Sequence, residues 1–285
     1  MAYLFICPFF ILFFIFGLYP LLQTIYMSFF KWDILGTHTF TGLRNYKNLL
    51  TDPTFYKSMF NTFVLWAATT IPQIVICIVL AVLLNAAYVK GRNAFRLAIF
   101  VPNITSVMAV ALVFTVVFGN KYGLVNQILQ LLGADPVKWK GTSGGSLTAL
   151  SFMINWRWIG QGVIIFLAAL QGIPECYYEA ADLDGASVFQ KFIHITVPML
   201  KQIIIFKLII STINGLNIFI EPMIFCGPGG GGSQEGLTMT LYMYEEAFGR
   251  NNFGYASSIS CMMLIIVGIA VAMNVFASSK LKGED

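Results

Sequence analysis

The chain has 285 residues, of which 58% are apolar and only 11% charged. A soluble domain carries about 25% charged residues, so an ordinary water-facing surface is excluded, and disorder and collagen-like repetition are excluded with it. The 17 basic and 13 acidic residues give a net charge of +4, too thinly spread for a nucleic-acid surface.

About 20 helical residues cross a hydrocarbon core of about 30 Å. Six apolar windows meet that length: 3–28, 59–86, 96–118, 147–170, 202–225 and 255–277. None alternates apolar with polar residues, and all exceed the length of a tilted membrane strand. The expectation is therefore an all-α, polytopic membrane bundle of six transmembrane helices. The first window lacks a basic leader and a small-residue cleavage site, so it reads as a retained span rather than a signal peptide. Pro20, Pro72, Pro102 and Pro222 interrupt or flank the windows, as local kinks or as functional breaks.

The connections differ in character. Residues 31–57 hold Trp32, Asp33, Gly42, Tyr46 and the turn Thr51-Asp52-Pro53, a composition that predicts short interfacial helices. Lys90-Gly91-Arg92 reads as a tight polar turn. Residues 120–145 contain an amphipathic piece, 124–132, then Gly-Ala-Asp-Pro and Thr-Ser-Gly-Gly turns. The run from Gly227 to Gly232 opens a loop to Phe253 that its glycines predict to be flexible. Cys7, Cys77, Cys176, Cys226 and Cys261 form no CxxC pair, and two histidines, His38 and His194, are too few for a zinc site. With both termini on the cytoplasmic side, seven basic residues fall inside and eight outside, so charge alone determines the topology weakly.

Residues 172–200 are the best-patterned polar stretch. Pro174 and Glu175 suit the first turn of a helix. Gly185 can end that helix, and Ser187 with Gln190 makes a capping box for a second. Two short helices ending at Pro198 would form a rigid knob. Ala180 and Ala181 offer a small-residue surface, and Glu179, Asp182 and Asp184 an acidic rim that anionic headgroups would repel. This balance favours docking to a protein over an interfacial helix on lipid.

Glu179-Ala180-Ala181, Asp184-Gly185-Ala186, Ile195, Pro198 and Leu200, lying between two spans, closely resemble the cytoplasmic loop of the membrane subunits of binding-protein-dependent ABC importers. The likeness extends through Tyr19-Pro20, Phe40-Thr41-Gly42-Leu43, Asn45-Tyr46, Asn61-Thr62, Gly227-Pro228-Gly229-Gly230, 242–248 and Phe253-Gly254-Tyr255-Ala256. It resembles most the first permease of the maltose/multiple-sugar class. The resemblance implies a type I ABC importer permease (MetI-like) fold in a prokaryotic cytoplasmic (inner) membrane. Residues 1–58 would be the first transmembrane helix and its external connection, and 59–285 the core domain with the coupling loop 172–200 in the cytoplasm and 226–254 outside. The implied partners are a second permease subunit, two cytoplasmic ABC ATPase subunits, an external solute-binding protein, a sugar substrate and membrane lipid. ATP-Mg would be used by the ATPase partners, with no cofactor, metal or catalytic residue on this chain. Glu179, Ala180, Ala181, Asp184, Gly185 and Pro198 would make the ATPase contact.

The sequence has no GxxxxGK[ST] phosphate loop, so energy must arrive from elsewhere. Substrate-pathway candidates are Asn103, Asn155, Trp156, Arg157, Trp158, Asn214, Asn217 and Glu221. Charges within spans are functional suspects; Arg157 and Glu221 stand either as an ion pair, mutual or intersubunit, or as solute contacts. Asn214 and Asn217 share a helix face, as pore-facing groups or as helix-to-helix hydrogen bonds. Lys207 is expected to snorkel to the cytoplasmic headgroups. Residues 120–145 and 227–253 suit docking of the solute-binding protein, with plain linkers as the alternative. A secondary transporter would show internal repeats or midplane coupling acids, and a membrane enzyme convergent catalytic groups; neither pattern is present. A polyol or glycerol-phosphate substrate stays open beside a disaccharide or oligosaccharide.

Overall fold

The computed structural model describes residues 2–32, 38–85, 91–142 and 144–282. Asp33, Lys90, Ser143 and the end of the second window at residue 86 lie outside the described residues.

The chain opens with α1 (Ala2–Phe13), which passes through a π-helical turn, Phe14–Leu18, into α2 (Tyr19–Met27). Pro20 stands just after the π-helical turn, where it removes one backbone donor from a helix that otherwise runs on. None of this span is buried within the chain, so its phenylalanines face lipid or another subunit. The following connection differs from the expected set of short helices. β1 (Phe30–Trp32) pairs antiparallel with β2 (His38–Phe40), with Phe30 opposite Phe40 and Trp32 opposite His38. Aromatic pairs across the strands stabilise such a ribbon, and the Trp32 and His38 rings stack at 4.6 Å. Among the described residues of this connection only α3 (Arg44–Leu49) is helical before the second span. Its Asn45 donates to the carbonyls of Ser28 and Phe30 at 2.8 and 2.9 Å, fastening the ribbon to the end of α2.

The second span, α4 (Pro53–Asn85), has 33 residues and is about 50 Å long at 1.5 Å per residue. Its start is set by Asp52, whose carboxylate accepts the Thr54 N–H at 2.8 Å. A domain boundary after residue 58 therefore falls inside this helix.

Two of the six windows are bent. α5 (Arg92–Ile104) and α6 (Val107–Val117) meet at 95°. Thr105 is extended (φ −73, ψ 144), three residues after Pro102 removes a backbone donor. Gly160 allows α5 to come close, since a Cβ there would collide with the Ile99 carbonyl. A short helix, α7 (Leu124–Leu131), precedes the fourth span, α8 (Gly145–Leu170). Then follow α9 (Cys176–Leu183), α10 (Val188–Lys191), a π-helical turn Phe192–Thr196, and α11 (Val197–Met199). The chain turns by 65° into α12 (Lys201–Leu216). The window 202–225 ends early, because α13 (Ile220–Cys226) is a separate helix. Pro222 cannot donate to the Ile218 carbonyl, and the Thr238 hydroxyl donates to it instead at 2.9 Å. The chain closes with α14 (Met239–Tyr244), a π-helical turn Glu245–Gly249, and α15 (Phe253–Lys282). Four helices are long and apolar enough to cross a bilayer, and the number among the described residues reaches six when each bent pair is counted as one span.

α4 and α8 form the centre of the bundle. At one end of α4, Phe55 packs with Leu49, Leu237, Met239, Tyr242 and Ile259. At the other end, Ala81 and Leu84 pack with Phe166, Leu170, Ile173 and Leu200. The glycine-rich loop and the knob are thus at opposite ends of one helix. The loop is not slack, contrary to what its glycines suggest. Asn61 donates to the carbonyls of Gln234 and Leu237 at 2.8 and 3.1 Å, the Thr62 hydroxyl accepts the Met239 N–H at 2.9 Å, and Lys57 donates to the Ser233 carbonyl at 2.6 Å.

Candidate functional site

The knob is built by local rules. α9 ends in a Schellman turn: the Gly185 N–H reaches the Asp182 carbonyl and the Ala186 N–H the Ala181 carbonyl, at 3.1 and 2.9 Å. Gly185 has φ +73, a conformation glycine adopts freely. Both halves of the Ser187–Gln190 capping box form, at 2.8 and 3.3 Å. Lys191 and Asp182 pair at 2.5 Å across the arms, and the hydroxyls of Tyr178 and Thr196 meet at 3.0 Å. The second arm runs from Val188 through Pro198 to Met199, so Pro198 lies within it rather than at its end. Glu179, Ala180, Asp184, Gly185 and Pro198 are exposed and Ala181 is half-buried. Beside them Leu183, Val188 and Phe189 stand 91%, 77% and 69% exposed, an apolar surface left uncovered among the described residues.

On the bundle, α4, α8, α12 and α13 line an open cavity of about 390 Å³. Arg157, Trp158, Asn214, Asn217 and Glu221 line it together with Thr69, Thr70, Gln73, Lys207 and Ser211. Arg157 and Glu221 form an ion pair at 3.3 Å, their side chains 15% and 10% exposed. The guanidinium also lies 5.0 Å from the Trp158 ring centre, and its Nε has no partner. The mutual ion pair is present, and because it forms part of the cavity wall both groups also face the space open to a solute.

Three sequence candidates do not line this cavity. Asn155 makes one helix-to-helix hydrogen bond, donating to the carbonyl of Ala68 on α4 at 3.3 Å, and donates back to the Ser151 carbonyl of its own helix at 2.9 Å. Trp156 packs on the Phe114 ring at 5.5 Å, and Asn103 is half-buried on α5. Asn217 is on the cavity wall but donates back to the Ile213 carbonyl at 2.7 Å. Lys207 corrects the snorkelling expectation: it is 4% exposed and lines the cavity instead of reaching headgroups. The stripe Lys207, Ser211, Asn214 at i, i+4, i+7 on one face of α12, with Thr69, Thr70 and Gln73 inside an apolar window, was the signal that sequence reading passed over.

At the far end of α4 a carboxylate joins three elements. Asp52 accepts the hydroxyls of Tyr242 on α14 and Tyr255 on α15, at 2.5 and 2.7 Å. Burial pushes its pKa up, but these two hydroxyls and the backbone N–H groups of Thr54 and Phe55 outweigh it and hold Asp52 below the usual carboxylate range. The same contacts and burial push the Tyr242 hydroxyl well above the ordinary tyrosine range.

Residues 73–282 match the family model of the binding-protein-dependent transport system inner membrane component. The arabinooligosaccharides transport system permease protein of Bacillus subtilis (strain 168) is 36% identical, over 99% of this chain and 90% of its own length. The lactose transport system permease protein of Rhizobium radiobacter is 31% identical, over 99% of this chain and 95% of its own. Among solved structures, a chain of a bacterial alginate ABC transporter, in complex with its alginate pentasaccharide-bound periplasmic protein, superposes with a TM-score of 0.85 at 23% identity, covering 98% of this chain and 94% of that one. At that identity the likeness is one of fold.

Proposed function

The chain belongs to the family of binding-protein-dependent transport system inner membrane components, and on that premise we propose that it is a permease subunit of an ATP-driven sugar importer. It is a multi-pass membrane protein with no catalytic task of its own. A disaccharide or oligosaccharide would be its substrate, as the roles named for its relatives support.

The observation that carries this reading is the knob. It presents small side chains, an acidic rim and uncovered apolar surface where α4 and α8 end and α12 begins, so a push on it is transmitted to α12 through the 65° turn at Leu200. Glu179 would pair with or orient the partner, Ala180 and Ala181 would allow close approach, and Asp184, Gly185 and Pro198 would keep the two arms in register. Two cytoplasmic ATPase subunits would bind and hydrolyse ATP-Mg and dock there. A second permease would close the cavity from the other side, and a solute-binding protein would deliver the sugar to the opposite face, in the cytoplasmic (inner) membrane. Arg157, Trp158, Asn214, Asn217 and Glu221 supply donors, acceptors and one aromatic surface for sugar hydroxyls. Asn103, Asn155 and Trp156 act one layer out, by holding helices together.

The test is purification of the tagged chain from its native membrane in mild detergent, with partner identification by mass. Recovery with one different permease and two ATPase copies is expected. Recovery alone or as a homo-oligomer, under conditions that keep a known ABC complex intact, would overturn the proposal.

A further inference from the structure

The charges of the cavity do not balance. Three ionisable side chains line it: Arg157, Glu221 and Lys207. Arg157 and Glu221 neutralise each other at 3.3 Å, and no carboxylate pairs with Lys207 among the described residues. A buried ammonium without an anion is costly within a membrane span, and Lys207 is 4% exposed.

Its position is nonetheless well fitted. The side chain lies where α4, α8 and α12 meet, and Gly162 makes the room. A Cβ on Gly162 would stand 3.6 Å from Cε of Lys207 and would overlap Cys77 Sγ. Cys77, beside it, is occupied in donating to the Ile159 carbonyl at 3.3 Å. The polar groups next along the same wall are Gln73, Ser211 and Asn214, neutral groups suited to sugar hydroxyls.

We infer that Lys207 is a specificity residue that recognises a carboxylate on the transported sugar, so that the cavity accepts a uronate-bearing saccharide in preference to a neutral one. This rests on the permease reading above. One surplus positive charge matches one carboxylate, whereas a phosphate monoester brings about −1.5 to −2. The ammonium supplies three donors and no acceptor, which selects an anion over a hydroxyl. The neighbouring amides and hydroxyls bind the ring on either side of that contact.

The experiment uses the assembled transporter purified with its ATPase subunits. Binding of a disaccharide of one galacturonate and one neutral sugar, of its neutral methyl ester and of galactose 1-phosphate is measured on the wild type, Lys207→Gln and Lys207→Arg. The monouronate disaccharide is expected to bind the wild type at least about tenfold more tightly than the ester, a difference of about 1.4 kcal/mol. That ratio should collapse toward one in Lys207→Gln and be largely retained in Lys207→Arg. Equal binding of acid and ester to the wild type, or a ratio unchanged in Lys207→Gln, overturns the inference while leaving the sugar-permease reading intact. Tighter binding of the sugar phosphate overturns the carboxylate assignment. Loss of thermal stability in ligand-free Lys207→Gln would assign the counter-charge to the second permease and overturn it as well. Failure of the complex to move any saccharide would instead strike the permease reading itself.

Discussion

The knob and the cavity are built in opposite ways. The polar contacts that shape the knob join residues at most 18 positions apart: the Ser187–Gln190 box, the Lys191–Asp182 pair and the Tyr178–Thr196 contact. The cavity wall is held by Arg157 and Glu221, 64 residues apart, on helices that meet only when the bundle closes. Exposed local structure can be altered with little loss of stability, so damage there appears as lost communication. A buried long-range pair carries both fold and function, so damage there appears first as lost stability. The Asp52 junction at the far end of α4, spanning 190 and 203 residues to its tyrosines, sides with the cavity.

The sharpest test of this contrast is Glu221→Ala. It leaves a mostly buried guanidinium unpaired, a loss of about 3–5 kcal/mol. The complex should melt at a markedly lower temperature, and Arg157→Ala in the same chain should restore part of the loss. The double-mutant cycle therefore reads a coupling well above 1 kcal/mol. Additive losses would mean that the pair is incidental and that the cavity is no more integrated than the knob.

Asp52→Asn should cost less. It keeps the shape but weakens two charge-assisted hydrogen bonds, each worth about 1.5–3 kcal/mol when intact. The contribution has a definite pH dependence. The folded-state pKa of Asp52 is depressed, so its stabilisation is complete above the unfolded value of about 3.9 and is lost as pH falls through the folded value. Wild type and Asp52→Asn should therefore differ in melting temperature at pH 7 and converge in acid. A difference that persists unchanged down to pH 2 would mean that the carboxylate charge is not what joins α4, α14 and α15.

The same contrast explains what the sequence disclosed. Capping residues, the glycine turn and the apolar windows act over a few residues, so the knob and the number of spans were readable from Ser187, Gln190, Gly185 and the window lengths. The ribbon was not, because Phe30 and Trp32 declare themselves as a strand only once Phe40 and His38 are opposite. The break at 217–219 depends on Thr238 reaching a carbonyl 20 residues away. The order of the glycine-rich loop depends on Asn61 and Thr62, more than 170 residues earlier. Lys207 was misjudged for a related reason. Its distance from the helix start suggested a reach to headgroups, whereas Gly162 and Cys77, on two other helices, create the space that keeps it inside.

The smallest expected loss of stability lies in the knob, at Gly185. No atom stands within 4 Å of where a Cβ would be, so a side chain meets no steric obstacle there. What it meets is the backbone: φ is +73, which costs an ordinary L-residue about 1–2 kcal/mol. Asn tolerates that region and Val does not. Gly185→Asn should therefore keep transport-coupled ATPase activity, whereas Gly185→Val should lose most of it by re-aiming the second arm, at near-normal abundance in the membrane. Equal damage from both variants would point to the partner surface rather than the turn as the sensitive feature. Normal coupling in Gly185→Val would mean that the angle between the two arms does not carry the signal, and the push would then have to enter through α9 alone.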